Sequence, residues 1–481
     1  MKKVLLAGAA LMLVSGIAST ASAAAVTPGV VLTGDARVRM GYKNDAYDFN
    51  DSNADGSQTN MDSRLRLNIK GTAAGGAYAF ARIRMMENFM GDMDTDISQI
   101  NSQTQNNIWV DQAYMGIPFN DTITLEMGKY RSTYGPLPLT YNFFYDDVNS
   151  SGARGIITVG DVVINPFVEW MDEAQNATFT TVSTIDRTED NDEIRFGGHV
   201  KAKINKDWTI GGMLGYQVDN RTENTGRLNT AGTAVIAADM NEPNEGLFGS
   251  VYVNGKSGAF GLVGELGVTD GDMNGFNNWR EDGNWTSRSY MTTFGVVPSN
   301  NQIYGDADSI GSNDTGFGGY VFPNYTIDKL NIGLNIGFTQ NGFMPDRAFG
   351  FVMLGGTDNS WITAQQIGAT GDWTWGGLVV SYQLNEALKL TGNLVYADIN
   401  PWEEAGDGPG FGTAAATSAN TVALDSAWEL SAVLQYTISK GMDVYLSAGY
   451  LDPSLTYINP NTAPLAEDAA FGALTRFELK F

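Results

Sequence analysis

Three arginine pairs lie close together near the start of the chain: Arg37 and Arg39, Arg64 and Arg66, Arg82 and Arg84. In an extended backbone, residues two apart share a face, so each pair projects to one side of a strand. Neighbouring strands lie about 4.8 Å apart, so three consecutive strands would gather these cations into one patch. Such a patch is held only where water or carboxylates relieve its repulsion. Asp35, Glu87, Asp146 and Asp147 are the candidate partners. The chemistry on offer is electrostatic rather than covalent: opposed charges across a narrow water column set up a transverse field that acts on ionic and dipolar solutes. The competing reading is that the arginines only solvate an inner wall and neutralise acidic loops.

A second constellation points to cation binding. Asp270-Gly-Asp-Met-Asn-Gly-Phe-Asn-Asn-Trp-Arg-Glu281 satisfies the twelve-residue calcium-loop pattern, with Asp270, Asp272 and Asn274 as early oxygens, Gly275 at the turn and Glu281 closing. Residues 51–62 nearly repeat it with Asp51, Asn53, Asp55 and a closing Asp62. Calcium takes six to eight oxygens, and this spacing wraps them around one point. The alternative is a pair of acidic, turn-rich loops holding no ion. No cofactor is required by any other motif. Calcium in these loops is the single cofactor expectation.

Catalysis has little to build on. His199 is the one histidine and there is no cysteine, so a histidine triad or zinc cluster has at most that residue to start from. Pairs such as Glu403-Glu404 read as solvating loop charge. A formal net charge of −25 argues against nucleic acid as a partner.

The elements that must position the arginines are strands. Leu32, Gly34, Ala36, Val38 and Met40 alternate with Thr33, Asp35, Arg37 and Arg39. Leu65, Leu67 and Ile69 alternate with Arg64, Arg66, Asn68 and Lys70, and the pattern recurs at Leu330–Phe338 and Trp428–Ile438. It persists in Phe471-Gly-Ala-Leu-Thr-Arg-Phe-Glu-Leu-Lys-Phe481, with Phe471, Phe477, Leu479 and Phe481 on one face and Arg476, Glu478 and Lys480 on the other. A strand that alternates to its last residue must close something. Its expected partner is the first strand, near Val30–Tyr42, which would set Arg476 beside Arg37 and Arg39.

Short turns such as Asn205-Lys-Asp207 and Ser439-Lys-Gly441 alternate with nine long polar loops, among them residues 43–61, 88–106, 132–152, 270–315 and 341–372. Short connections at one end and long ones at the other are the asymmetry of a transmembrane β-barrel, with turns in the periplasm and loops outside. Nine loops predict an all-β, antiparallel barrel of about eighteen strands. Sixteen is the rival count, because the loops beginning at Asp270 and Asn341 have room to hide a hairpin. A mean hydropathy just below zero fits, since a polar bore and polar loops dilute the lipid-facing residues. Met-Lys-Lys, an apolar run over Val4–Val14 and Ala21-Ser-Ala23 predict a signal peptide over 1–23, leaving 24–481 as one barrel domain.

Asp111-Gln-Ala-Tyr-Met-Gly-Ile117, Leu125-Glu-Met-Gly-Lys129, the loop that follows and the strand ending at Phe481 together resemble the trimeric general porins of Gram-negative outer membranes, including the homotrimeric type of sulfate-reducing bacteria. The eighteen-stranded sugar porins are a looser likeness. The chain departs from the family in having Lys129 where an arginine is common and Leu479 where an aromatic often sits. The resemblance implies an outer-membrane homotrimer passing small hydrophilic solutes, a third loop folded into the bore at about 132–152, and a terminal phenylalanine read by the assembly machinery. Asp146 and Asp147 would then face the arginines across a constriction. A substrate-specific sugar or anion channel is the alternative, and a barrel-anchored enzyme or adhesin a more distant one.

Overall fold

The computed structural model describes residues 27–44, 57–89, 108–137, 141–146, 148–173, 192–219, 245–270, 315–341, 343–346, 349–355, 362–368, 371–401, 422–457 and 467–481. The expected leader at 1–23, together with Asp51, Asn53, Asp55, Asp147, Asp272, Asn274, Glu281 and the side chain of Glu87, lies outside them.

Alternating segments become strands because one face suits lipid and the other water. The first six are β1 Gly29–Asn44, β2 Ser57–Thr72, β3 Tyr78–Phe89, β4 Ile108–Pro118, β5 Ile123–Ser132 and β6 Val148–Val159. Next come β7 Val162–Glu173, β8 Asp192–Lys203, β9 Trp208–Asp219, β10 Gly246–Ser257, β11 Phe260–Thr269 and β12 Gly316–Ile327. The last six are β13 Leu330–Gln340, β14 Gly371–Asn385, β15 Leu388–Pro401, β16 Val422–Ser439, β17 Met442–Tyr457 and β18 Ala470–Lys480. Each pairs antiparallel with its neighbours in sequence, and β1 pairs with β18, closing an 18-stranded sheet. Closure satisfies every sheet edge internally, which a hydrocarbon environment demands. Among the described residues there is no helix.

Eighteen strands replace the rival sixteen. Among its described residues the 341–370 connection holds isolated bridges, Gly350 with Gly355 and Leu354 with Gln365, and no strand. One boundary differs from the sequence reading: β2 begins at Ser57, so Asp62 lies within a strand rather than closing a loop.

The seam between β1 and β18 runs from Asp35 opposite Lys480 to Asn44 opposite Phe471. It ends in a reciprocal pair of backbone bonds, Gly34 N–H to Phe481 O at 2.8 Å and Phe481 N–H to Gly34 O at 3.0 Å. The short turns are as tight as the sequence suggests. Lys440-Gly441 joins β16 to β17 with Gly441 at φ +85°, a conformation a side chain would strain.

The outer face carries Leu334, Leu378, Leu394, Leu430, Leu446 and Phe477, all exposed. The residues between them are buried and in large part polar, including Arg37, Gln112, Glu126, Gln217, Asn335 and Thr339. That inversion, apolar outside and polar inside, is the signature of a barrel dissolved in lipid.

Candidate permeation pathway

β1, β2 and β3 bring the three arginine pairs together on the inner face. The register sets Arg37 opposite Arg64 and Arg66 opposite Arg84. β18 adds Glu478 opposite Arg37 and Arg476 opposite Arg39. Carboxylates are interleaved in the wall. Asp35 takes Arg66 Nε at 2.8 and 3.0 Å and Arg64 Nη2 at 3.4 Å. Asp62 takes Arg39 Nε at 2.8 and 3.0 Å. Arg82 Nε donates to Asn68 Oδ1 at 2.9 Å.

The charged surface continues across β4, β5 and β6. The register slips between Arg82 and Ile83, leaving Asp111 as the extra residue of a β-bulge. Asp111 gathers Arg84 at 3.1 Å, Arg131 at 3.5 Å and Arg82 at 3.9 Å. Glu126 accepts Arg154 Nε at 2.6 Å and the Tyr78 hydroxyl. Arg154 also lies 4.5 Å over the Tyr130 ring and donates to Arg131 O and Ser132 Oγ, at 3.0 and 3.1 Å, where β5 ends. Sequence reading named Asp35 as a partner but missed Asp62, Asp111 and Glu126, and it missed Arg131 and Arg154 as members of the wall. Antiparallel register was the available signal, because Glu126 and Arg154 fall opposite each other once β5 and β6 are paired.

The third long loop, described at 133–137 and 141–146, reaches across the interior. It leaves β5, and its Phe143 N–H reaches Glu265 Oε2 on β11 at 2.8 Å. Tyr134 stacks on His199, 4.6 Å between ring centroids, and on Phe167 and Tyr145. Burial pushes the Tyr134 phenol up to about 12, so it stays neutral in any physiological medium. Tyr145 donates to Glu169 at 3.0 Å. The lone histidine is a wall residue: its ring nitrogens lie 3.2 Å from Asn165 Oδ1 and 2.9 Å from the Tyr252 hydroxyl.

Asp146 sits where this loop returns to β6, buried, accepting a hydrogen bond from Thr133 Oγ1 at 3.0 Å. The portion that crosses the barrel carries aromatic rings rather than carboxylates. Aromatic rings thus join Asp146 on the inward side of this loop, and Asp147 lies outside the described residues.

The seventh long loop was expected outside, and its described residues 343–346, 349–355 and 362–368 fold inward as well. Phe343 stacks on Phe143 and Phe144 at 5.4 and 5.7 Å, and Phe349 meets Phe143 edge-on at 4.8 Å. Asp346 N–H donates to Phe143 O at 2.7 Å. The two loops form one apolar body with Tyr320, Phe322 and Trp375 of the wall. In an eighteen-membered ring β3 and β12 stand on opposite sides, so the part of the body on Tyr320 and Phe322 packs against the wall facing the arginines, while Met353 and Ile362 reach β17 and β18.

Of the calcium candidates, Asp62 is committed to Arg39, and Asp270 lies at the end of β11, where its N–H donates to Leu247 O at 2.7 Å. The remaining six lie outside the described residues. Among the described residues no three His, Cys, Asp or Glu side chains gather as a metal site.

A closed barrel with an apolar outer belt and a charged inner wall defines a channel-forming protein of the outer membrane. The chain belongs to the Gram-negative porin family, whose model matches residues 7–401. Its fold is similar to that of a BenF-like porin from Pseudomonas fluorescens Pf-5, with 9% identity, a TM-score of 0.50, and 94% of this chain and 98% of that one covered. The outer membrane protein OpdK from Pseudomonas aeruginosa gives 11% identity and a TM-score of 0.49, over 94% of this chain and 98% of that one. An anion-selective porin from Comamonas acidovorans gives 11% and 0.40, over 95% and 100%. A search of curated proteins finds no match. The protein is an outer-membrane channel for passive diffusion.

Proposed function

We propose that the channel prefers small hydrophilic anions, and that the arginine wall sets the preference. One observation carries this reading. On β18 and β1 to β6 the arginines 37, 39, 64, 66, 82, 84, 131, 154 and 476 outnumber the carboxylates Asp35, Asp62, Asp111, Glu126 and Glu478. The carboxylates hold the cations in place, and the excess of arginines over carboxylates gives this side of the wall a net positive field that acts on solutes. Replacing Arg64 and Arg66 together by alanine should move the reversal potential across a salt gradient in planar bilayers toward cations. An unmoved potential would overturn the reading.

A channel specific for one class of anion is the second reading, favoured by the two inward loops that narrow the path. Saturable block of conductance by the preferred solute separates it from general diffusion. Kinship with porins supports assembly as a homotrimer, and conductance steps closing in threes would test it. No catalytic role is assigned, since His199 is engaged by Asn165 and Tyr252. Calcium at Asp270, Asp272, Asn274 and Glu281 rests on spacing alone, whereas the 51–62 loop loses its closing ligand to Arg39. Millimolar calcium should raise the melting temperature if the Asp270 loop binds it.

A further inference from the structure

One wall carboxylate gathers the backbone of loop 7. Glu429, fully buried on β16, accepts the N–H groups of three consecutive loop residues: Val352 at 3.0 Å on Oε1, and Met353 and Leu354 at 3.1 and 2.7 Å on Oε2. Consecutive amides converging on one anion form a nest, and charge-assisted bonds of this kind are stronger than neutral ones. An inward loop has few other ways to satisfy buried backbone donors. The neighbouring wall is cut to receive the same segment. A Cβ on Gly449 of β17 would lie 2.5 Å from Met353 Cγ, and one on Gly472 of β18 would lie 2.8 Å from Ile362 Cβ.

We propose that Glu429 is the positioning residue for the whole inward body, fixing loop 3 through loop 7 and so setting the aperture in front of the arginine wall. The coupling is physical. Loop 7 touches loop 3 through Phe343 and Phe349 on Phe143 and through the Asp346 N–H on Phe143 O. Without its acceptor the Val352–Leu354 amides are left buried and unsatisfied, and water in the bore offers them partners. The loop then leaves its seat, and Phe143 loses Phe343 and Phe349 while keeping its wall contacts with Tyr320 and Trp375 and its bond to Glu265. This inference rests on the channel reading, and its test separates the two.

The test is single-channel conductance in planar bilayers, with neutral polyethylene glycols of increasing size as probes, on Glu429→Ala and, separately, Gly449→Val. The second variant leaves the carboxylate intact and crowds Met353 out of its seat, and valine is a favourable strand residue. Each variant is first checked for a folded barrel by heat-dependent gel mobility. Both should show at least a twofold rise in conductance, admit larger glycols and lose part of the ion selectivity, with the barrel still folded by gel mobility. Wild-type conductance and glycol exclusion in a folded variant of either kind would overturn the proposal. No channels from the wild-type protein would instead sink the channel reading itself, and this inference with it.

Discussion

Arg39 on β1 and Asp62 on β2 lie directly opposite each other, and the guanidinium Nε sits within hydrogen-bond distance of both carboxylate oxygens, at 2.8 and 3.0 Å. The next row of the wall is different: Arg37 faces Arg64, with Glu478 on its other side. The inner surface is thus a patterned array in which guanidiniums and carboxylates alternate, with each carboxylate fixing at least one guanidinium.

Neutralising Asp62 should expose that pattern. Asp62→Asn removes one negative charge while leaving a carbonyl oxygen for Arg39. Anion preference, read as reversal potential, should increase, opposite in sign to the change expected from losing Arg64 and Arg66. A shift toward cations would contradict the wall's assigned role.

Arg154 and Glu126 test the wall's stability. The pair is mostly buried, and removing one member of a buried pair costs on the order of 3 kcal/mol because the other charge is stranded. Arg154→Met should lower unfolding stability in urea by about that amount. Arg154→Met with Glu126→Gln should recover much of the loss, since no charge is then stranded. Equal loss in the single and double variants would place the effect in packing on Tyr130 instead.

The β1–β18 seam is sensitive to bulk at Gly34. A Cβ there would lie 2.5 Å from the Phe481 ring and 2.6 Å from Arg66 O. Gly34→Val forces a shift at the closing strand, and overpacking of this kind costs about 1–3 kcal/mol. A lower denaturation midpoint on refolding into detergent is expected, with no change in ion selectivity.

Tyr134 anchors the root of loop 3 through rings rather than charge. Tyr134→Ala removes its stacks on His199, Phe167 and Tyr145. Open-channel current noise should rise, while the barrel, whose sheet bonds it does not touch, keeps its gel mobility. A quiet channel would show that Glu265 and loop 7 suffice to hold the loop.

The barrel was legible in the sequence because period two is a local property. Leu65 and Arg66 declare their faces without reference to anything distant, and the nine long loops alternate with short turns as expected. The third loop was placed inside through the resemblance of the Asp111–Lys129 stretch, a likeness carried by local motif rather than by distant contacts. Loop 7 was not legible, because what draws it inward lies on other strands: Glu429 on β16, Gly449 on β17, and Gly318 on β12, where a Cβ would lie 2.6 Å from Phe343. Glycines and a glutamate on inward positions of otherwise ordinary strands were the trace it left. Asp62 shows the opposite failure. Its spacing from Asp51 fits a calcium loop, yet strand pairing extends to Ser57 and commits the carboxylate to Arg39.

Loop 3 springs from β5 and is tied to β11, and loop 7 springs from β13 and is tied to β16. Each tie joins staves that the sheet itself does not connect. A hooped vessel resists being squeezed oval only as well as its hoops allow, whereas one with internal braces resists directly. Bilayer lateral pressure therefore meets a cross-section stiffened from within, and the components that narrow the passage are the same ones that keep its outline round.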